Sequence, residues 1–570
     1  MEPLPQAQEP AAPFETHRVE NQSPPFGPRD LWRDDAVLRD ALARELSLLQ
    51  PQPEPGSLEE GRQAIASYAV LAGGPALEWA DDAHRDRPRL LSHDRFGHRI
   101  DRVAFHPAYH SLMDAAIRHG VAGWSWRHEQ PGGHVVRAAL SYLHHQVEPG
   151  TSCPLTMTHA SVPVLRREPA LAQWAEKAAA PLYDPREVPV ADKAGVTLGM
   201  GMTEKQGGSD VRANTTLATP LADGSGYRLV GHKWFLSAPM SDGFLMLAQA
   251  PGGLGCFLMP RVLEDGSKNA FRLIRLKDKL GDWSNASSEI ELCGALAFPV
   301  GAEGRGVATI LEMVMLTRLD CLLGGAAQMR MALARAIHHC RHRRAFGKRL
   351  LGQPLMTNVL ADLAVEAEAA LVLAMRIARA VDAAERDPAE AALARIGTAV
   401  GKYWVCRRAP AFVNEAQECL GGNGYIEESL MPRLYRQAPL NSIWEGSGNI
   451  QCLDVLRALQ REPETGAAVW AELVAAGEGG SEYAQAIEHL RAALTEGAAV
   501  EPAQARRFVE RLALALQASL LLRVGSPAAQ GFCRSRLGGE HGLAMGTLPS
   551  GLPIDALIER ALPAGLSTSG

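Results

Sequence analysis

Two loops hold the residue types that could do chemistry in this chain of 570 residues. The first is Gly201-Met-Thr-Glu-Lys-Gln-Gly-Gly-Ser-Asp210. It sets two hydroxyls (Thr203, Ser209), two positions without side chains (Gly207, Gly208) and a carboxylate (Asp210) on one tight turn. A glycine-rich turn leaving a strand exposes backbone N–H groups that can line an anion or the polar edge of a ring. The second loop, Trp444-Glu-Gly-Ser-Gly-Asn449, places one carboxylate beside an indole and small residues. Removing a proton from carbon needs a base that works near neutral pH, and partial desolvation is how a carboxylate is tuned for such a task. On the residues alone, a lone Glu in such a loop reads first as a solvated or capping group.

Five segments change that balance: GMTEKQGGSDVRANTT (201–216), GHKWFLSAP (231–239), RRAFGKRL (343–350), ECLGGNGYIEESLMPRLYR (418–436) and NSIWEGSGNIQCLDVLR (441–457). Taken in order, they resemble the acyl-CoA dehydrogenase superfamily of flavoproteins, and within it the AidB-type, alkylation-response branch. The resemblance implies FAD as cofactor. It assigns Met202, Thr203, Gly208 and Ser209 to the isoalloxazine and pyrophosphate. It puts Phe235 against the ring and Ser237 near N5; two residues apart on a strand, they share a face. Ser447 and Asn449 match cofactor contacts beyond the base. Arg343 and Phe346 match an Arg-x-x-Phe-Gly segment that reaches the FAD of a neighbouring subunit, where a forked guanidinium suits phosphate. Gly421 and Gly422 belong to the same cross-subunit site. A homo-oligomer follows, a tetramer built as a dimer of dimers.

The resemblance also makes Glu445 the catalytic base of an acyl-CoA α,β-dehydrogenation and places Arg318 and Trp444 beside the substrate. Some members carry their base as a Glu directly before that Arg; here Thr317 stands there, so that alternative is absent. Lys205, Gln206, Glu418 and the Gln353-Pro354 pair depart from the usual pattern. Trp444 replaces the usual Tyr, and either narrows the acyl channel or packs as a core aromatic. A reading of a different class is a protective flavoprotein that binds double-stranded DNA in the alkylation response, with little dehydrogenase turnover. Its candidates are Arg506, Arg507, Arg511, Arg523, Arg534 and Arg536. The segment 461–570 has nine Arg, no Lys and twelve acidic residues, yet 506–536 has six Arg against Glu510 alone. An oxidase or lyase using the same site is a third reading.

These residues need a scaffold that alternates in character. Residues 1–30 are Pro-rich and polar and read as a disordered tail. Residues 31–190 read mostly as helices, with Asp35–Leu49, Leu58–Leu71 and Ala104–His119 as examples. Residues 191–300 hold short β-type runs separated by Gly, Asp and Pro. Residues 301–460 are helical again, with one very long helix from Val307 to about Arg341 and a second over Leu355–Ala384. Residues 461–570 add a further helical segment. The fold class is therefore mostly α with a central small β domain, arranged as helical domain, β-barrel and helical bundle, plus the extra C-terminal helices.

A formal charge of −6 gives no general attraction to nucleic acid or membrane. The apolar run Leu512–Leu522 is too short to span a bilayer, and the N-terminus lacks a signal-peptide pattern. Nine cysteines without paired spacing suit reduced, buried thiols in the cytoplasm. The His144-His145 and His338-His339 pairs do not suggest a metal, because adjacent helical residues point about 100° apart; surface or helix-end positions are expected for them.

Overall fold

The structure, a computed structural model, describes residues 18–477 and 479–563. Helices α1 (Ala36–Ser47), α2 (Pro55–Ala72) and α3 (Pro75–Arg85) lead into a hairpin of β1 (Arg89–His93) and β2 (Arg99–Ala104). Helices α4 (Pro107–Arg118), α5 (Trp124–Arg127), α6 (Gly133–Val147), α7 (Pro149–Arg166) and α8 (Ala172–Ala179) complete the N-terminal part. The hairpin was not foreseen: its burial alternates only weakly, and its charged sequence gives no apolar run.

Seven strands follow: β3 (Leu198–Gly201), β4 (Leu217–Pro220), β5 (Tyr227–Ser237), β6 (Gly243–Ala250), β7 (Gly253–Pro260), β8 (Phe271–Leu276) and β9 (Ser287–Val300). Their order is β3-β6-β4-β5-β9-β7, with β8 on β9. Because β7 also pairs with β6, the sheet curls into a small barrel. Leu229, Leu236, Phe244, Met246, Phe257 and Met259 fill it. A register shift between Lys233 and Leu236 in β5 leaves Phe235 and Ser237 on the outer face, over buried Leu236.

The predicted long helices form as α9 (Gly306–His342) and α10 (Pro354–Ala383), separated by a hairpin of β10 (Arg344–Ala345) and β11 (Lys348–Arg349). Helix α11 (Pro388–Glu418) runs antiparallel to α10 and parallel to α9. The apolar series Leu360, Leu363, Ala367, Leu371, Ala374 and Ala378 on α10 is buried throughout. Gly324 and Gly325 let α9 be approached closely from two sides. A Cβ at Gly324 would lie 2.7 Å from His145 of α6, and one at Gly325 3.2 Å from Val405 of α11. Then come α12 (Met431–Gln437), α13 (Gly448–Arg461), α14 (Pro463–Val474), α15 (Ser481–Thr495), α16 (Ala505–Arg523), α17 (Ala528–Phe532) and α18 (Ile554–Ala561). Apolar α16 packs on α10, α11 and α13, so the C-terminal helices are fused to the bundle. Among the described residues no helix is long and apolar enough to cross a membrane.

Two expectations change. Residues 1–17 of the expected tail lie outside the described residues, but the remainder forms a strap on the end of α9. Phe26 is buried there, with Arg335 4.1 Å and Arg29 5.0 Å from its ring centroid, and His338 Nε2 donates to the Pro24 carbonyl (2.9 Å). One aromatic anchors a segment whose composition reads as disordered. His144 and His145 are interior, not at the surface: the His144 ring bonds Tyr68 Oη at 2.5 Å and Thr151 Oγ1 at 2.9 Å. All nine cysteines are unpaired; Cys293 alone is exposed.

Candidate functional site

Glu445 sits at φ +56° and Gly446 at +93°, two successive left-handed residues between α12 and α13. For Glu this conformation is strained by roughly 1–3 kcal/mol, so it persists only where the surroundings over-determine it. The bracing is visible. Arg318 Nε and Gln451 Nε2 both donate to the Glu445 carbonyl at 3.0 Å. Lys402 Nζ and Gln451 Nε2 donate to the Gly446 carbonyl at 2.8 and 2.9 Å. Arg318 is itself held by Asp454 (2.7 Å), which Arg395 grips from the other side (2.9 Å). These donors come from α9, α11 and α13, so the bundle fixes the loop.

The carboxylate is aimed by α9. Thr317 Oγ1 donates to Glu445 Oε2 at 2.7 Å, while Oε1 accepts no protein hydrogen bond among the described residues. Trp444 lies half-buried against the core, its Nε1 bonded to Asn441 Oδ1 at 3.0 Å. Lys402, Gln451, Arg395 and Asp454 escaped the sequence reading, which noted Thr317 only as the residue standing where some members carry a base. Only Gln451, one helical turn past Ser447, stood close enough in sequence to be suspected.

The glycine-rich loop is organised around Glu204. This carboxylate is buried against Lys233 Nζ (2.8 Å) and accepts the backbone N–H groups of Thr215 (2.7 Å) and Thr216 (3.2 Å). Burial alone would raise its pKa; these donors more than offset that and hold it down at about 2. Gln206, a departure from the expected pattern, bonds Glu204 Oε2 (2.8 Å) and the Ala213 carbonyl (3.0 Å), closing the turn. Thr203 accepts from Trp234 N–H (2.9 Å), and a Cβ at Gly208 would come 2.5 Å from Thr203 Oγ1. Ser209 is exposed, and Asn214 Nδ2 holds the Met202 carbonyl (2.8 Å).

Phe235 is 49% exposed, a large share for an aromatic on a barrel. The Lys277 ammonium stands 4.5 Å from its ring centroid and is bonded to Glu289 at 2.6 Å. Ser237 Oγ lies 3.2 Å from Ser287 Oγ. Beside it lies Cys153, near the start of α7, whose thiol burial pushes up to about 12. Lys277 and Cys153 were not foreseen either.

Arg343, Phe346, Gly421 and Gly422 meet at the far end of the bundle, where the Cys340 thiol touches the Cys419 carbonyl. Phe346 is 98% exposed at φ +49°, at the tip of the β10–β11 hairpin. A Cβ on Gly421 or Gly422 would find no atom within 4 Å, so both backbones face open space. Arg343 Nη1 donates to the Asn21 carbonyl of the strap (2.5 Å). Thr317 and Arg343 are 26 positions apart on α9 and just beyond it, about 40 Å along a straight helix. The two groups therefore cannot converge on one point of the same protomer. Ser447 and Asn449 are exposed at the start of α13.

The six C-terminal arginines do not form the patch their spacing suggests. Arg523 pairs with Glu472 (2.7 Å), Arg534 with Glu540 (2.7 Å), and Arg536 is buried against Asp362 and Glu366. Acidic partners outside the 506–536 stretch neutralise them. Arg506, Arg507 and Arg511 are exposed on the first turns of α16. Arg506 also reaches the back of the Glu445 loop, 3.2 Å from where a Gly448 Cβ would lie.

Comparison with known proteins accounts for this layout. The Adaptive response protein AidB N-terminal domain matches residues 21–185; the middle and C-terminal domains of acyl-CoA dehydrogenases match 199–294 and 304–460. AidB of Escherichia coli (strain K12) is 47% identical over 452 residues, covering 79% of this chain and 81% of that protein. The chain belongs to the AidB-type branch of the acyl-CoA dehydrogenase family. Acyl-CoA dehydrogenase family member 11 of Caenorhabditis elegans is 32% identical over 441 residues, 75% of this chain and 70% of that protein. The crystal structure of C. elegans ACDH-11 in complex with C11-CoA has a TM-score of 0.79 at 25% identity, covering 97% of this chain and 94% of that one. Acyl-CoA dehydrogenases are FAD-dependent, and membership makes this chain a dehydrogenase-like flavoprotein. Its residues fit such a cofactor: a half-exposed aromatic face, a hydroxyl beside it, and two open glycine backbones.

Proposed function

We propose that this chain is an FAD-dependent oxidoreductase of the cytoplasm that dehydrogenates acyl-CoA thioesters between Cα and Cβ, with Glu445 as base. The observation that carries the reading is the carboxylate of Glu445, bonded on one oxygen only and fixed by a strained, fully braced loop. A base must be held in place before the substrate arrives, and a left-handed Glu braced from three helices meets that need. Thr317 orients Oε2 and leaves Oε1 to take the α-proton. Met202, Thr203, Gly208, Ser209, Phe235, Ser237, Ser447 and Asn449 hold the flavin in one protomer. Arg343, Phe346, Gly421 and Gly422 hold the far end of the FAD of a partner, which makes a C₂-related pair the minimum for the site and a tetramer, as a dimer of dimers, its closed form. FAD, when bound, supplies the two-electron oxidant for the β-hydrogen. Arg318 lies beside the base, and Trp444 walls the entrance. The ACDH-11 complex supports the thioester class.

The test is anaerobic mixing of the flavin-loaded protein with a series of acyl-CoA thioesters. Bleaching of the flavin absorbance is expected; no bleaching with any thioester would overturn the reading. A second reading, a DNA-associated protective flavoprotein, is supported by the exposed Arg506, Arg507 and Arg511. Retention on duplex DNA without bleaching favours it.

A further inference from the structure

The interior beyond Glu445 is closed by a buried ion pair, and we propose that this pair limits the depth of the acyl site to short acyl chains. The inference rests on the acyl-CoA reading above. Helix α9 runs from solvent into the core: Leu311 is 48% exposed and Glu312 is exposed, while Met313 and nearly all that follows is buried. A thioester arriving from solvent reaches Thr317 and Glu445 first, and its tail must continue inward along α9. Asp320 stands three residues further on, about 4.5 Å of helical rise, on the side turned to α6 and α7.

That carboxylate is fully engaged. Arg137 of α6 grips it with both terminal nitrogens, Nη2 at 2.6 Å, and Thr156 Oγ1 of α7 donates to it at 2.5 Å. The third Arg137 donor, Nε, is spent on the Val121 carbonyl at 2.8 Å. Arg137 is 2% exposed and Asp320 1%. The set ties α9 to α6 and α7. Two imidazoles pack around it with their own bonds satisfied, His145 to the Ser141 carbonyl (2.8 Å) and His159 to the Ala122 carbonyl (3.0 Å).

A long apolar tail would have to part Arg137 from Asp320 and leave both charges buried and unpaired, a far larger penalty than burying methylenes returns. A tail of a few carbons ends before the pair and leaves it intact. A relative of this fold has been solved with C11-CoA bound, so the proposed limit lies in these side chains rather than in the fold.

The test is calorimetric titration of the flavin-loaded, full-length protein with CoA, butyryl-CoA and dodecanoyl-CoA, which reads binding and not turnover. Butyryl-CoA is expected to bind more tightly than CoA, and dodecanoyl-CoA at least tenfold more weakly than butyryl-CoA. The double variant Arg137→Met with Asp320→Leu, checked for folding by its melting temperature, is expected to narrow that gap at least tenfold. Dodecanoyl-CoA binding to the unaltered protein as tightly as butyryl-CoA overturns the depth limit alone and leaves the acyl-CoA reading standing. If neither thioester binds more tightly than CoA, the acyl-CoA reading fails and takes the depth limit with it. The unaltered protein decides the matter even if the double variant does not fold.

Discussion

Glu445 combines two properties that a structural carboxylate does not need: a left-handed backbone and an oxygen without a protein donor. Glu204 is the contrast. It lies within the glycine-rich loop, and both its oxygens are consumed by Lys233, Thr215, Thr216 and Gln206, so it holds the loop and has no proton to trade. The residue-scale prediction follows from that difference. Glu445→Gln keeps the shape of the loop and its Thr317 contact but cannot accept a proton. It is expected to retain flavin at the level of the unaltered protein and to lose α-proton exchange with an acyl-CoA in deuterated solvent by at least a hundredfold. Exchange at the original rate would place the base elsewhere.

At the scale of elements, the C-terminal helices are secured to the bundle by charge as well as by apolar packing. Glu366 of α10 meets Arg408 of α11 at 3.0 Å and Arg536 at 3.0 Å. Burial alone would raise this carboxyl; the two guanidinium groups outweigh it and bring the pKa down to about 2. A folded-state pKa below the unfolded value means stability that is present above the unfolded pKa, about 4.5, and lost as pH falls through the folded value. Denaturant melts at pH 7, 5 and 3 check this. The protein is expected to weaken from pH 5 downward. Glu366→Gln is expected to lose roughly 2 kcal/mol at pH 7, because buried Arg536 is left with Asp362 alone and half-buried Arg408 loses its partner, and to show a shallower decline toward pH 3. An equally steep decline in the variant would remove Glu366 from the acid response.

At the scale of the molecule, the segments matching the cofactor site fall at opposite ends of α9, and the end carrying Arg343 and Gly421 also exposes Phe346 almost completely. An aromatic left in solvent beside open glycine backbones is an interface in waiting. Phe346→Asp is expected to shift the proposed tetramer toward smaller species in light scattering and to lower the bound FAD with it. A tetramer with full flavin content would separate Phe346 from both roles. The charge distribution makes a second prediction at this scale. With Arg523, Arg534 and Arg536 neutralised, any phosphate contact from the six rests on Arg506, Arg507 and Arg511. Changing those three to Ala is expected to reduce duplex binding and flatten its dependence on salt, whereas changing Arg523 is not. Unaltered binding in the triple variant would take this face out of DNA contact.

Local signals made the architecture legible. Apolar periodicity marked α9 and α10 nearly to the residue, and the spacing of Gly, Asp and Pro marked the β runs, because both depend on neighbours a few positions away. The order of the five motifs pointed to the family for the same reason. What the sequence left open was partnership. The Phe26 strap, the burial of His144 and the sharing of Glu366 all depend on residues brought together from afar. Arg137 and Asp320 lie 183 positions apart, and no spacing rule connects them. So the sequence by itself determined the long helices, most of the barrel strands and the family motifs from which the flavin and base roles are proposed. Only the tertiary structure decided how Glu445 is aimed, which arginines stay free, and what stands in the way of an acyl chain. Those outcomes depend on the distance and burial of charges that folding alone brings into contact.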